Sequence, residues 1–126
     1  MSPDEYSAPA LAFLGDGVFD LLVRAYLVRQ ANRPAGQLHA AKIKHVNANA
    51  QAAYALKIMP ALTEKETAVF RRGRNASSKN TPKNSSGADY HAATGLEALF
   101  GYLYLSGQTD RINELFSLIC DAFDLI

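Results

Sequence analysis

The chain has 126 residues, 48% of them hydrophobic and 20% charged, with a formal net charge of +1. That is enough for one domain with one core and too little for two ordinary ones, and the balance is that of a soluble globular protein. No basic start precedes an apolar run and no apolar stretch reaches about 18 residues, so neither a signal peptide nor a membrane span is expected.

No segment alternates as a strand does. The first predicted helix opens at Ser7 or Ala8, tolerates Pro9 in its first turn, and runs to about Gln30. Asn32-Arg33-Pro34-Ala35-Gly36 breaks it. A second helix is predicted from about Gly36 to Ile58, packing through Leu38, Ala41, Ile43, Val46, Ala50 and Ala53. Its small-residue middle, Val46 to Ala53, suits either a close helix contact or plain high-propensity filling. Pro60 ends it.

Thr63-Glu64-Lys65-Glu66 is a capping box, because Thr63 can cap and Glu66 stands three residues on. The third helix continues through Val69 and Phe70 to Arg74 or Ala76. Asn75 to Ser86 is almost wholly polar, and 75–87 reads as a mobile basic surface loop. A fourth helix is expected from Gly87 to Ser106, stopped by Gly107, and a fifth from Asp110 to Asp124. The single cysteine, Cys120, can close no disulfide within the chain and reads as a small core residue in a reducing cytosol, so a cytoplasmic location is expected. Without an internal repeat or a second domain, residues 1–126 read as one all-α domain of about five helices or more.

Chemistry enters with Leu11-Ala12-Phe13-Leu14-Gly15-Asp16-Gly17-Val18-Phe19-Asp20. Asp16 and Asp20 fall about 40° apart on one helix face, shared with Phe13, Val23 and Leu27. Leu14, Val18, Leu21 and Ala25 form the opposite stripe. A helix apolar nearly all round is expected to be buried, and a buried carboxylate needs a cation, a proton or a set of donors. From Ala92 to Leu105, Glu97 is the one ionisable side chain besides two tyrosines, with Thr94 three residues before it and Gly101 four after. Glycines beside both acids, Gly15 and Gly17 beside Asp16 and Gly101 beside Glu97, are tolerated in a helix interior where another group comes close. Two acids on separate helices make a divalent-metal site or, on spacing alone with equal weight, an internal ion pair with Arg24 or a histidine. Asp20 reads as a support for metal waters or as a partner for Arg24.

Charge is unevenly spread. Residues 1–20 carry four acids and no base, whereas 71–91 carry Arg71, Arg72, Arg74, Lys79 and Lys83 against Asp89 alone. Three arginines in four residues, with Asn75 beside them and His91 beyond the loop, point to phosphate and ribose contacts in preference to a plain solvated helix end. His39, His45 and His91 lack zinc-like spacing.

The two acidic segments, 11–20 and Leu96-Glu97-Ala98-Leu99-Phe100-Gly101-Tyr102-Leu103-Tyr104-Leu105, resemble the signature helices of ribonuclease III catalytic domains. Together with Arg71-Arg72-Gly73-Arg74-Asn75-Ala76 they are nearest its Mini-III branch, which consists of the catalytic domain alone. The resemblance implies an all-α homodimer that cleaves double-stranded RNA with Mg²⁺, or Mn²⁺ in its place, and trims precursor 23S ribosomal RNA, with a ribosomal-protein helper as one option. It implies Asp16 and Glu97 as catalytic metal ligands, Asp20 and Thr94 as supports, and Arg71, Arg72, Arg74, Asn75, Lys79, Lys83 and His91 as RNA contacts. Phe13, Phe19 and Val23 are the expected dimer face. Ala12 and Thr94 stand where larger members of the family carry two further acids. The competing readings are a non-catalytic dimeric RNA-binding or ribosome-assembly protein on the same fold, and a helical interaction module in which the acids are structural.

Overall fold

The computed structural model describes residues 1–76 and 87–123. Among them the chain forms six α-helices and two short 3-10 turns. Helix α1 (Ala8–Gln30) is capped by Ser7, whose hydroxyl accepts from the Ala10 amide, with Pro9 in its first turn. Helix α4 (Glu64–Asn75) opens on the expected capping box, with Thr63 and Glu66 each accepting from the other's backbone amide. Helix α5 (Gly87–Leu105) ends before Gly107, whose φ of 70° is the left-handed conformation a helix stop requires. Helix α6 (Thr109–Phe123) completes the described fold.

One predicted helix is two. The 36–58 segment divides into α2 (Ala35–Ile43) and α3 (Ala48–Ile58). Asn47 makes the break: its side chain accepts from the Ala50 amide to cap α3 and donates to the carbonyls of Ile43 and Lys44 at the end of α2. The break resets the helical phase. Leu38, Ala41, Val46 and Ala50 do pack against the core, but Ile43 is half exposed, and the buried face of α3 is Gln51, Tyr54, Ala55 and Ile58.

Helix α5 is the centre, packed by α1, α3 and α4. Its residues from Ala93 to Leu103 are buried on nearly every side, as an all-round apolar helix should be. Glycines set how closely its neighbours come. A Cβ on Gly15 would lie 1.6 Å from the Glu97 carbonyl oxygen, and one on Gly101 would lie 2.0 Å from that of Leu11. Backbone therefore rests on backbone where α1 crosses α5, and α4 comes nearly as close through Gly73, where a Cβ would lie 2.6 Å from the Ala98 methyl and 3.0 Å from the Gly95 backbone.

Helix α1 buries Ala8, Leu11, Ala12, Gly15, Phe19, Val23 and Leu27, essentially every fourth residue. Phe19 and Val23 are fully buried core residues, with the Phe19 ring against Tyr54, Phe100 and Phe116. They cannot form the expected dimer face. Phe13 is 85% exposed, and Leu21 and Val28 are exposed with it, so α1 carries an uncovered apolar line of its own. Arg111 of α6 holds Glu66 with two hydrogen bonds of 2.9 and 2.8 Å and also donates to the Ala61 carbonyl, fastening α6 to the start of α4. Cys120 is half-buried and packs against the core.

Candidate active site

Where α1, the end of α4 and α5 converge, they enclose a cleft of about 290 Å³. Ala12, Phe13 and Asp16 line it from α1, Gly73 and Ala76 from the α4 end, and Tyr90, Thr94 and Glu97 from α5. The close seating of Gly15 on the Glu97 backbone brings the two carboxyls together. Asp16 is exposed at the mouth, contrary to the burial its apolar neighbours suggest, because the apolar residues beside it on the outer face of α1 are uncovered. Glu97 is half-buried deeper in, and its carboxyl shares a hydrogen bond with that of Asp16. Burial first, and the Asp16 charge second, push the Glu97 carboxyl up to about 8, against an opposing hydrogen bond from Gln51.

The surroundings of the other inward carboxylates separate a structural pair from a site. Asp20 sits 2.5 Å from Arg24 Nε and 3.1 Å from Lys42 Nζ. Burial pushes its carboxyl up, but those two cations outweigh it and hold the group below its usual range. Of the two roles expected for Asp20, the structure shows the ion pair with Arg24, joined by Lys42, and places the residue outside the cleft lining. The Arg111 hydrogen bonds hold Glu66 low in the same way. Among the described residues, those that bear on the Glu97 charge are Asp16 and Gln51, with no cation of the protein among them.

Two carboxylates facing one cleft, one of them without a counter-charge among the described residues, fit a hard divalent cation completed by water and phosphate oxygens. No group of three or more acidic, histidine or cysteine side chains gathers among the described residues, and the carboxylates that line the cleft there are this pair. Thr94 is beside it, its hydroxyl donating to the Tyr90 carbonyl at 3.0 Å.

A second, open groove adjoins the cleft at Ala76 and is lined by Ser7, Ala8, Ala68, Arg71, Arg72 and Asn75. Arg72 donates to the Tyr6 carbonyl at 2.9 Å, which anchors the N-terminal turn and leaves most of its guanidinium donors for other partners. Arg74 is half-buried beside Asn75, and His91 is half-buried with its ring against Tyr90. Lys79 and Lys83, with the rest of the expected loop from 77 to 86, lie outside the described residues. Gln51 and Tyr90 belong to the site although their residue types did not single them out. For Gln51 the signal was present: it stands three, four and seven residues before Tyr54, Ala55 and Ile58, on the apolar face of α3.

Comparison with known proteins agrees with this geometry. The ribonuclease III domain family matches residues 9–108. The chain is 45% identical over 114 residues to a Mini-ribonuclease 3 of Symbiobacterium thermophilum, covering 90% of this chain and 88% of that one. It is 48% identical over 105 residues to a Mini-ribonuclease 3 of Brevibacillus brevis, covering 83% and 78%. A crystal structure of a Fusobacterium nucleatum protein superposes with a TM-score of 0.86 at 30% identity, covering 94% of each chain. A central α5 seated on α1 through Gly15 and Gly101, carrying an acid from each helix into one cleft, is accordingly the ribonuclease III domain, and the chain belongs to the ribonuclease III family in its Mini-ribonuclease 3 branch.

Proposed function

We propose that this endoribonuclease for double-stranded RNA cuts at the Asp16–Glu97 cleft with Mg²⁺ as its cofactor, and that its substrate is precursor 23S ribosomal RNA. One observation carries the assignment: Asp16 and Glu97 line a single cleft with Ala12 and Thr94, and among the described residues no cation answers the Glu97 charge. Asp16 and Glu97 hold the cation directly or through water. Bound there, it supplies a water of lowered pKa and neutralises charge on the attacked phosphate. Thr94 can orient water from its place between Tyr90 and Glu97. Hydrolysis in line with the leaving 3′ oxygen gives a 5′-phosphate and a 3′-hydroxyl.

Arg71, Arg72 and Asn75 provide a phosphate and ribose track that leads from the open groove to the cleft through Ala76. Arginine suits that task because its planar donors match phosphate oxygens, and duplex RNA is gripped through backbone and 2′-hydroxyls. The partner for the uncovered line of α1 is a second copy of the chain, with Phe13 at its centre. A two-fold axis there sets two clefts to cut one strand each.

The test compares wild type with Asp16→Asn on a labelled RNA duplex, with Mg²⁺ and with EDTA. Expected is cutting by the wild type in Mg²⁺ alone, and none by Asp16→Asn, which should still bind the duplex. Cutting by Asp16→Asn at the wild-type rate would remove Asp16 from the mechanism. Binding without cutting by both proteins would return the chain to an RNA-binding role.

A further inference from the structure

Two polar side chains stand out in the apolar core, Gln51 and Glu66, each 4% exposed. A buried polar group costs free energy unless it is hydrogen-bonded, and no buried side-chain nitrogen or oxygen among the described residues lacks a partner. Glu66 is accounted for by Arg111 and Thr63, a tie between helices that takes no part in lining the cleft. Gln51 serves no such tie. It lies on the inward face of α3 with Tyr54, Ala55 and Ile58, where α3 packs on α5, and its amide favours the charged form of the Glu97 carboxyl. A leucine or methionine would fill the same place without a buried amide, so packing does not explain the residue type.

We infer that Gln51 is a positioning residue: from α3, behind the cleft, its amide holds the Glu97 carboxylate in the orientation that meets a divalent cation shared with Asp16. The carboxylate is then held from two sides, by the α1–α5 seam that fixes its backbone and by an amide that fixes its head. This chain has Ala12 and Thr94 in place of further acids at the cleft, so the orientation of each remaining ligand counts for more. Outer groups of this kind change metal affinity or activity by about 10- to 100-fold when removed. The inference rests on the metal reading of the cleft given above.

Gln51→Met keeps the volume and removes the amide, and Gln51→Asn keeps the amide but withdraws it by one methylene. The measurement is Mn²⁺ binding to the RNA-free protein by isothermal titration, alongside melting without metal and Mg²⁺-dependent cleavage kinetics. For Gln51→Met the expected result is a Mn²⁺ affinity about tenfold weaker than wild type. The Mg²⁺ concentration for half-maximal cleavage rises with it, while the KM for RNA and the metal-free melting temperature hold. Gln51→Asn should fall between the two, and it carries the test if Gln51→Met does not fold. A wild type that binds Mn²⁺ with variants that bind it equally well would overturn the inference alone. So would variants whose loss of affinity merely follows a loss of melting temperature. A wild type that binds no Mn²⁺ yet cuts RNA would overturn the metal reading, and the inference with it.

Discussion

Gly15 and Gly17 are two residues apart on one helix and meet opposite surroundings. A side chain at Gly15 would run into the backbone of α5, with Glu97 and Gly101 both closer than any real Cβ contact, whereas a side chain at Gly17 would meet nothing. The inner face of α1 is fixed to within the thickness of a methyl group, and the outer face, with Phe13, Leu21 and Val28, is bare. Asp16 lies between these faces and draws on both. Its distance to Glu97 is set by the seam, and its access to solvent and RNA is left by the open side. One helix thereby serves as the rigid floor of a site and as an apolar surface for another molecule.

The hardest way to break that comparison is to fill the inner face. Gly15→Ala puts a methyl where the Glu97 carbonyl stands, and backbone cannot move aside as a flexible side chain can. Separating α1 from α5 should cost about 3 kcal/mol or more, the upper end for overpacking, and lower the melting temperature by about 10 °C or more. Cleavage should vanish even below the melting transition, because the two carboxyls no longer meet. A Gly15→Ala protein that melts and cuts like wild type would mean that the seam is looser than its distances state.

Proton linkage probes the inner face less violently. In the folded, metal-free protein the Glu97 carboxyl keeps its proton up to about 8, whereas in the unfolded chain it is released near the ordinary glutamate value of 4.5. Between those values the folded state binds more protons than the unfolded state. Metal-free stability therefore falls as the pH rises from 4.5 to about 8 and levels off above it. Glu97→Gln should remove that slope, which melting curves across the range will show. A cation must displace the same proton, so Mn²⁺ affinity should climb by about tenfold per pH unit below the Glu97 transition and flatten above it. An affinity independent of pH would place the cation elsewhere than on Glu97.

What could be read from the sequence was what short-range chemistry decides. Ser7, the Thr63–Glu66 box and Gly107 mark helix ends through contacts within a few residues, and each stands where it was expected. Asp16 and Glu97 were legible because each is a carboxylate set in an apolar helix. Asn47 was missed because an alanine-rich stretch carries high helix propensity on both sides of it, and a single capping side chain overrides that sum. The harder errors were tertiary. Apolar character around α1 does not say which face its own chain covers, so Asp16 was expected inside, and Phe19 and Val23 outside. Asp20 is claimed by Lys42 from α2, and Gln51 reaches Glu97 from α3. Both contacts depend on how helices pack, which spacing along one helix does not encode.

The outer face offers the smallest effect and the sharpest distinction. Glycine inside a helix costs about 1 kcal/mol relative to alanine, and at Gly17 no contact among the described residues repays it. If water covers the face, Gly17→Ala should stabilise the protein by about 0.5–1 kcal/mol, a rise of a few degrees in melting temperature, without changing its association. If a second copy covers it, as the exposed Phe13 and Leu21 on the same stripe argue, the added methyl meets that copy instead. The expected outcome is the second: in sedimentation equilibrium Gly17→Ala dimerises more weakly than wild type. Unaltered association together with a higher melting temperature would leave α1 facing solvent and move the two-fold axis to another surface. Weakened association with Asp16 and Glu97 still binding Mn²⁺ as in wild type would establish that the two faces act separately, the inner one for the site and the outer one for the partner.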